Sequence, residues 1–511
     1  MSHDTATDDV ESPASLPPVN DAASAAVRKP AFWQAAFSFP AMLSVALAVL
    51  TVLTVRGRFD DPDLWWHLKI GQIIWNTHSI PSADTFSFTA AGHPWIAHEW
   101  LSETMIYATY RAGGYVGLMI LLCALPSLLF VLVYALCSLY SGNAKISLLG
   151  GMVAWFFGTI GLSIRPHLVG YLCLVLELLV LHLARTRSRR WFWALPPLFA
   201  LWVNCHGSFV LGLMILGILF ICSWFEFRAG SLVGVRWPRD QRRLLGMTMA
   251  LSVGALFLNP IGWRLVFYPF DLVFKQTLNL SSVAEWQPLD LLDPRAAVLF
   301  AVAGFFFLMI LARRDDLRLD ELALLALGFG LAIRHNRMMF VFGILAAPIV
   351  CRLLANAWDR YDPARDLRFA NAVMMGAGVW IMVASFPGVD QLQRDVAKNS
   401  PVEAVDYIRQ TGLTGRMLND YVFGGYLIWA LPEQKVFIDG RCDLFDWTGV
   451  LSEYGRWATL EEDPKLLLDK YHIDYCLLRK TAPETRVLRY LPGWWKLYED
   501  DVAAIFVRSK S

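Results

Sequence analysis

The chain has 511 residues, 56% of them hydrophobic and only 17% charged, with a mean hydropathy of +0.43, 21 Trp and 32 Phe. That composition excludes an ordinary soluble globular protein and fits a polytopic α-helical membrane protein. A formal net charge of +1 leaves no basic stripe of the kind that nucleic acid requires, so no nucleic-acid partner is expected.

Residues 1–31 are rich in Ala, Ser, Asp and Pro without apolar periodicity. They read as a disordered cytoplasmic tail, too acidic and too weakly apolar for a signal peptide. Arg28 and Lys29 precede the first apolar run, Phe32 to Val55, which favours a cytoplasmic N-terminus. Further runs long enough to cross ~30 Å of hydrocarbon begin near Tyr115, Ile146, Leu168, Trp191, Ser208, Leu244, Ala296, Glu321, Met338 and Phe369. About eleven transmembrane helices are therefore expected over residues 32–387. Alternate loops collect Arg, from Arg185 to Arg190, Arg228 to Arg243, Arg313, Arg314 and Arg318, and Arg352 to Arg368. These are the cytoplasmic loops by the bias of basic residues to the inner side. The first outer loop, 56–114, and the region 388–511 then face the periplasm of a cell with an inner membrane.

The stretch Arg58 to Glu103 lies between two apolar runs yet carries Asp60, Asp61, Asp63, His67, His78, Asp84, His93, His98, Glu99 and Glu103. No connecting loop requires that many ionisable groups. Asp63 precedes LWWHLKIGQIIW as a helix N-cap, and Lys69, Gln72 and Asn76 share one stripe of that helix. It is expected to lie in the bilayer interface with its Trp residues at headgroup level. Five polar motifs fall at outer helix ends or in outer loops: Arg165-Pro166-His167, Asn204-Cys205-His206-Gly207, Asn259-Pro260, Glu285-Trp286 and Arg334-His335-Asn336-Arg337. Each alone can be an interfacial anchor or a cap. Together with the first loop they point to one outward cavity, since ionisable groups at membrane depth are costly and mark sites.

From Pro401 helical and strand patterns alternate, through VEAVDYIRQTG, GRMLNDYVFGGYLIWAL, KVFIDGR, PKLLLDKYHIDYCLLRK and the hairpin-like WWKLYEDDVAAIFVR. A small extracytoplasmic α/β domain is expected. It carries no Walker or dinucleotide fingerprint and is read as non-catalytic. Five of the 8 Cys lie in apolar runs as small hydrophobes, and no CxxC or His/Cys metal spacing occurs. Cys442 and Cys476 can form a disulfide in a periplasmic domain.

The segments DPDLWWHLKIG, IPSADTFSFTAAGHPW and HEWLSE resemble the first outer loop of the GT-C membrane glycosyltransferases. That superfamily includes protein O-mannosyltransferases, the lipid A aminoarabinose transferase and the oligosaccharyltransferase catalytic subunit. The resemblance implies transfer of a sugar from a polyprenyl-phosphate carrier to a lipid, glycan or protein acceptor outside the cytoplasm. It also implies that Asp61 and Asp63 match the acidic motif serving as catalytic base or, in the oligosaccharyltransferase branch, helping to hold a divalent metal. The chain departs from the common pattern with Asp-Pro-Asp for Asp-Glu, and with His98-Glu99 where relatives have a basic residue and prolines.

The chemistry needs a desolvated carboxylate to take the acceptor proton and cations where charge gathers on the departing phosphate. Asp63 is the first choice for base, then Asp61 and Glu99, with His98 beside them. Arg334, His335, Arg337, Arg165, His167, His206 and Glu285 are the substrate-binding candidates, Arg suiting phosphate best. A transporter or flippase, or an envelope assembly protein with a periplasmic binding domain, would also use many spans. The first needs internal repeats and broken helices, and neither a repeat nor an inner polar cluster is legible. The second needs fewer spans.

Overall fold

The structure is a computed structural model that describes residues 32–275, 286–312 and 315–509. The tail 1–31, Glu285, Arg313 and Arg314 therefore lie outside the described residues. After a short helix α1 (Phe32–Ala36), Ser38 caps α2 (Phe39–Val55) by accepting from the Ala41 amide, with Pro40 in the first turn. Helix α3 (Leu64–Thr77) is followed by α4 (Trp100–Ser141), whose 42 residues are two helices joined at Gly114. There φ is 57° and ψ is −141°, a conformation open only to glycine. This elbow lets the first-loop half of α4 lie against α3 while the second half descends as an apolar span.

Asn143 caps α5 (Ala144–Gly158), and α6 (His167–Thr186), α7 (Leu195–Cys205), α8 (Phe209–Cys222), α9 (Arg239–Ala255) and α10 (Trp263–Lys275) follow. The helices Pro294–Ala312, Leu319–Arg334, Met339–Leu353 and Arg368–Ala384 complete the set. A helix thus stands at each of the eleven expected positions. Among the described residues, however, 5 are long and apolar enough to cross a membrane by length and composition. A sixth appears if Arg368–Ala384 and Val389–Asn399, bent by 61°, are taken as one. The apolar runs at Trp191 and Ser208 give short helices because Pro196-Pro197 and the His206-Gly207 break cut them.

At the opposite end from the first loop the chain forms a small sheet that its sequence did not announce, β1 (Phe227–Ala229), β2 (Leu232–Gly234) and β3 (Leu317–Arg318), with β2 and β3 parallel. An ion-pair cluster sits beside it: Arg185 to Asp320 at 2.5 Å, Arg318 to Glu321 at 2.7 Å and Arg352 to Glu321 at 2.6 Å. This corrects the reading that no inner polar cluster exists. Its carboxylates are matched by arginines from three elements, which makes it a staple between helices.

In the C-terminal region β4 (Met417–Asn419), β5 (Tyr475–Arg479), β6 (Trp494–Glu499) and β7 (Ala503–Arg508) form a sheet in the order β4-β5-β7-β6. β4 and β5 run parallel and the expected hairpin is β6–β7. KVFIDGR does not join this sheet. Asn419 holds it in place by accepting from the Phe437 amide at 2.7 Å, and Val436 pairs instead with the first loop. The Val436 amide donates to the Phe86 carbonyl at 3.0 Å and the Phe88 amide to the Val436 carbonyl at 3.1 Å. Cys442 and Cys476 are both free thiols, so the disulfide is not formed. Cys476 is buried inside β5, whereas Cys442 opens the Cys442–Trp447 helix and meets the Tyr421 hydroxyl at 2.8 Å.

The same docking changes the environment of α3. Trp65 and Trp66 are 2% and 6% exposed, buried in protein rather than set at headgroup level. Trp65 packs edge-on to Tyr115 of α4 and to Tyr426 of the Gly424–Ala430 helix, with ring centres 6.2 and 5.1 Å away. Gly425 rests on the Pro62 carbonyl and Gly440 on the Asp63 carboxylate, where any side chain would collide. The apolar face that the sequence offers to lipid is used instead to join the first loop to the C-terminal region.

Candidate functional site

Asp61 and Asp63 converge on one guanidinium. Arg165 Nε lies 2.5 Å from Asp61 Oδ2, and its Nη2 lies 2.9 Å from Asp63 Oδ2. The other two carboxylate oxygens are also engaged: Asp61 Oδ1 accepts from the Asp63 amide at 3.0 Å and Asp63 Oδ1 from Trp66 Nε1 at 3.1 Å. Asp63 stands at the start of α3 with αR backbone angles and makes no side-chain capping bond. The capping role is therefore corrected, because the carboxylate turns away to Arg165 and Trp66. Burial pushes the Asp61 carboxyl up, but the charge and hydrogen bond of Arg165, with bonds from Ser163 and the Asp63 backbone, outweigh it. Its pKa is held below the ordinary aspartate value.

Glu99 is the centre of a second cluster. His206 Nε2 lies 3.3 Å and His98 Nε2 3.9 Å from Glu99 Oε1, and His67 Nε2 is 4.0 Å from Glu99 Oε2. On its other side the His67 ring places Nδ1 3.0 Å from Glu103 Oε1. His206 reaches this position because the α7–α8 break turns there and Gly170 of α6 leaves room for its ring and for Ser208. Burial raises the Glu99 pKa, against smaller opposing effects of His98, Arg337 and Arg165. Burial lowers the pKa of His67 and His206 well below the ordinary histidine value, reinforced at His67 by Arg165 and at His206 by Arg337. At neutral pH these two rings are neutral, so Glu99 has neutral rather than cationic neighbours at His67 and His206. Burial thus leaves Glu99 more basic than an ordinary glutamate.

Of the expected cations, Arg165 and Arg337 belong to this site. The charge of Arg337 acts on Glu99, His167 and His206. Arg334 is exposed at the end of its helix and makes no contact with the cluster among the described residues. His335 turns the other way, its Nδ1 2.8 Å from the Trp286 carbonyl, and anchors that loop. His167 is buried with Nε2 2.7 Å from the Gly161 carbonyl, which closes the turn before α6. Glu285 lies outside the described residues.

The loop Asp439–Asp443 completes the wall, and sequence reading did not select it. Asp443 Oδ2 accepts from the Tyr268 hydroxyl at 2.5 Å and from Trp95 Nε1 at 3.1 Å, and the Tyr268 ring stacks on His98 at 4.4 Å. Arg441 is fully buried between Asp84 at 2.7 Å and Asp439 at 2.6 Å. The density of charge in IDGRCD inside an apolar run was the available signal. The C-terminal region, read from sequence as non-catalytic, supplies a wall of the site.

Two openings flank the Asp61–Arg165 pair. A polar cavity of about 280 Å³ lies between the first loop and the C-terminal region, bounded by Asp60, Asp61, Trp65, Lys398, Arg479 and Thr481 among others. On the side of Arg165, an apolar groove runs between the two halves of α4 and the start of α6, lined by Met105, Ile106, Leu121, Leu122, Leu125 and Val169. Among the described residues no group of three or more His, Cys, Asp or Glu side chains is placed to hold a metal ion.

No protein-family model matches the chain, and no curated protein matches it. Solved structures do. The apo oligosaccharyltransferase of Archaeoglobus fulgidus superposes with a TM-score of 0.51 at 14% identity, covering 88% of this chain and 70% of that one. The archaeal oligosaccharyltransferase AglB from Archaeoglobus fulgidus, in complex with an inhibitory peptide and a dolichol-phosphate, gives 0.52 at 12% identity over 88% and 69%. The same enzyme tethered to an acceptor peptide gives 0.50 at 12% identity over 88% and 69%. At such identities the likeness shows the fold alone, one shared with the archaeal oligosaccharyltransferase.

Proposed function

We propose that this chain, built on the GT-C fold, is an integral membrane glycosyltransferase that moves a sugar from a polyprenyl-phosphate carrier to an extracytoplasmic acceptor. The observation that carries the reading is the meeting of Glu99, buried among neutral histidines, with the charges of Arg165 and Arg337 at one helix-end site. The apolar side chains beside Arg165 are the surface on which this reading lays the isoprenoid chain, and the polar cavity across the Asp61–Arg165 pair is where it places the acceptor.

In this reading the acceptor hydroxyl or amide attacks the anomeric carbon while Glu99 takes its proton. The bond from that carbon to the lipid phosphate breaks, and Arg337 and Arg165 receive the charge that gathers on the phosphate. Asp61 and Asp63 hold Arg165 in place rather than take the proton, since their oxygens are already bonded to it. The inner Arg–carboxylate cluster is internally paired, so it does not favour a transporter.

The test is purified protein incubated with a panel of polyprenyl-phosphate sugars, with mass spectrometry for released polyprenyl phosphate. Release with each sugar transferred supports the reading; movement of intact carrier across liposomes without release overturns it. Arg337→Ala is expected to weaken donor binding by roughly 10- to 100-fold, the equivalent of ~1.5–3 kcal/mol for bonds to a charged group. Lys at that position restores part, because an ammonium lacks the planar fork. Unchanged donor affinity in both variants removes Arg337 from the phosphate site.

The reading places the protein in the inner membrane of the cell envelope, N-terminus cytoplasmic and C-terminus periplasmic. Alkaline phosphatase fused after Pro401 is then expected to be active, and fusions active only with a cytoplasmic reporter overturn that orientation.

A further inference from the structure

The resemblance raises the expectation of a divalent metal at the acidic pair, and the residues present do not fit one. A hard divalent cation collects about six oxygen ligands in near-octahedral or looser array. Here all four oxygens of Asp61 and Asp63 are already engaged: one oxygen of each carboxylate is ion-paired with the single guanidinium that lies between them, and the other accepts a hydrogen bond from an N–H. The described residues supply no third His, Cys, Asp or Glu to complete a metal cluster. Gly440 packs against the Asp63 carboxylate on the Oδ1 side, where a Cβ would collide with it.

We propose that Arg165 takes the place of a divalent cation at the Asp61–Asp63 pair, so that the fixed positive charge of this site is a side chain and the protein works without a metal there. A guanidinium presents several donors in one plane and stays charged at any accessible pH. Its Nε and Nη2 are spent on the two carboxylates. The charge thus sits at a set depth between the apolar groove and the polar cavity, independent of metal supply.

The expectation of a metal rests on the transferase reading, but the test does not measure transfer, so the two fail separately. Purified full-length protein in detergent is titrated with Mn²⁺ and followed by electron paramagnetic resonance, and its melting temperature is recorded with and without EDTA. No stoichiometric Mn²⁺ and an unchanged melting temperature are expected. Arg165→Gln is expected to lower the melting temperature by several degrees, and adding Asp61→Asn to that variant to recover part of the loss by removing one uncompensated charge. One Mn²⁺ per chain in the parent, lost in Asp63→Asn, overturns the proposal. So does Arg165→Gln that melts like the parent, since a guanidinium in the place of a cation cannot be silent. If Arg165→Gln does not fold, the Mn²⁺ titration of the parent still decides.

Discussion

Glu99→Gln is expected to lower sugar transfer by ~10²- to 10⁴-fold, the usual worth of a positioned general base, while the protein folds and binds donor as before. Gln keeps the size of the side chain and a hydrogen bond toward His206, which lies 3.3 Å from Glu99 Oε1, so lost packing cannot explain the loss. Burial raises the pKa of Glu99 above the ordinary glutamate value, and a base acts only when deprotonated. Transfer in the parent therefore rises with pH through that raised pKa, and the limb disappears in the variant. The same shift has a stability consequence of opposite sense. The folded state binds a proton that the unfolded chain has released, so stability falls as pH rises from the ordinary glutamate range through the raised value. Asp63→Asn supplies the contrast. If Asp63→Asn is the variant that loses the pH limb while Glu99→Gln turns over at the parental rate, the base is Asp63 and Glu99 only lines the site.

Arg441→Leu is expected to destabilise the protein by ~3–5 kcal/mol, the cost of leaving a buried charge without its partner. Two fully buried carboxylates, Asp84 of the first loop and Asp439 of the C-terminal region, would then face each other without a cation. Phe86 and Trp95 would also lose the guanidinium packed 5.0 and 5.1 Å from their ring centres. Thermal unfolding followed by tryptophan fluorescence reads the loss, and limited proteolysis of the first loop locates it. A parental melting temperature would show that the Val436 backbone bonds and the Thr89 hydroxyl bond to the Phe437 carbonyl hold the two segments together without it. Transfer should fall with stability, since the same loop carries Gly440 and Asp443 to the site.

Much of the architecture was legible because apolar length and basic-loop bias are local properties. Helices stand where the runs predicted them, and the β6–β7 hairpin appeared where WWKLYEDDVAAIFVR alternates. The count of about eleven spans is not confirmed: the helices at Trp191 and Ser208 are short, bounded by Pro196-Pro197 and the His206-Gly207 break. KVFIDGR was placed among the alternating helical and strand patterns of the C-terminal region. Its strand partner proved to be the first loop, some 350 residues earlier, a pairing that no local pattern encodes.

By itself the sequence determined that this is a membrane protein with a charged first loop, and led to the expectation that Arg165, His206 and Arg337 fall on the same side as that loop. Only the tertiary structure decided which carboxylates are neutralised and which is left to take a proton. Asp61, Asp63 and Glu99 look alike in sequence, each an acid of the first loop within two residues of an aromatic side chain. Their chemistry separates because Arg165, about 100 residues on, reaches the first two at 2.5 and 2.9 Å, whereas Glu99 is buried against His206. Ion pairing falls steeply with distance and rises with burial, and both are set by how distant segments pack rather than by the order of residues along the chain.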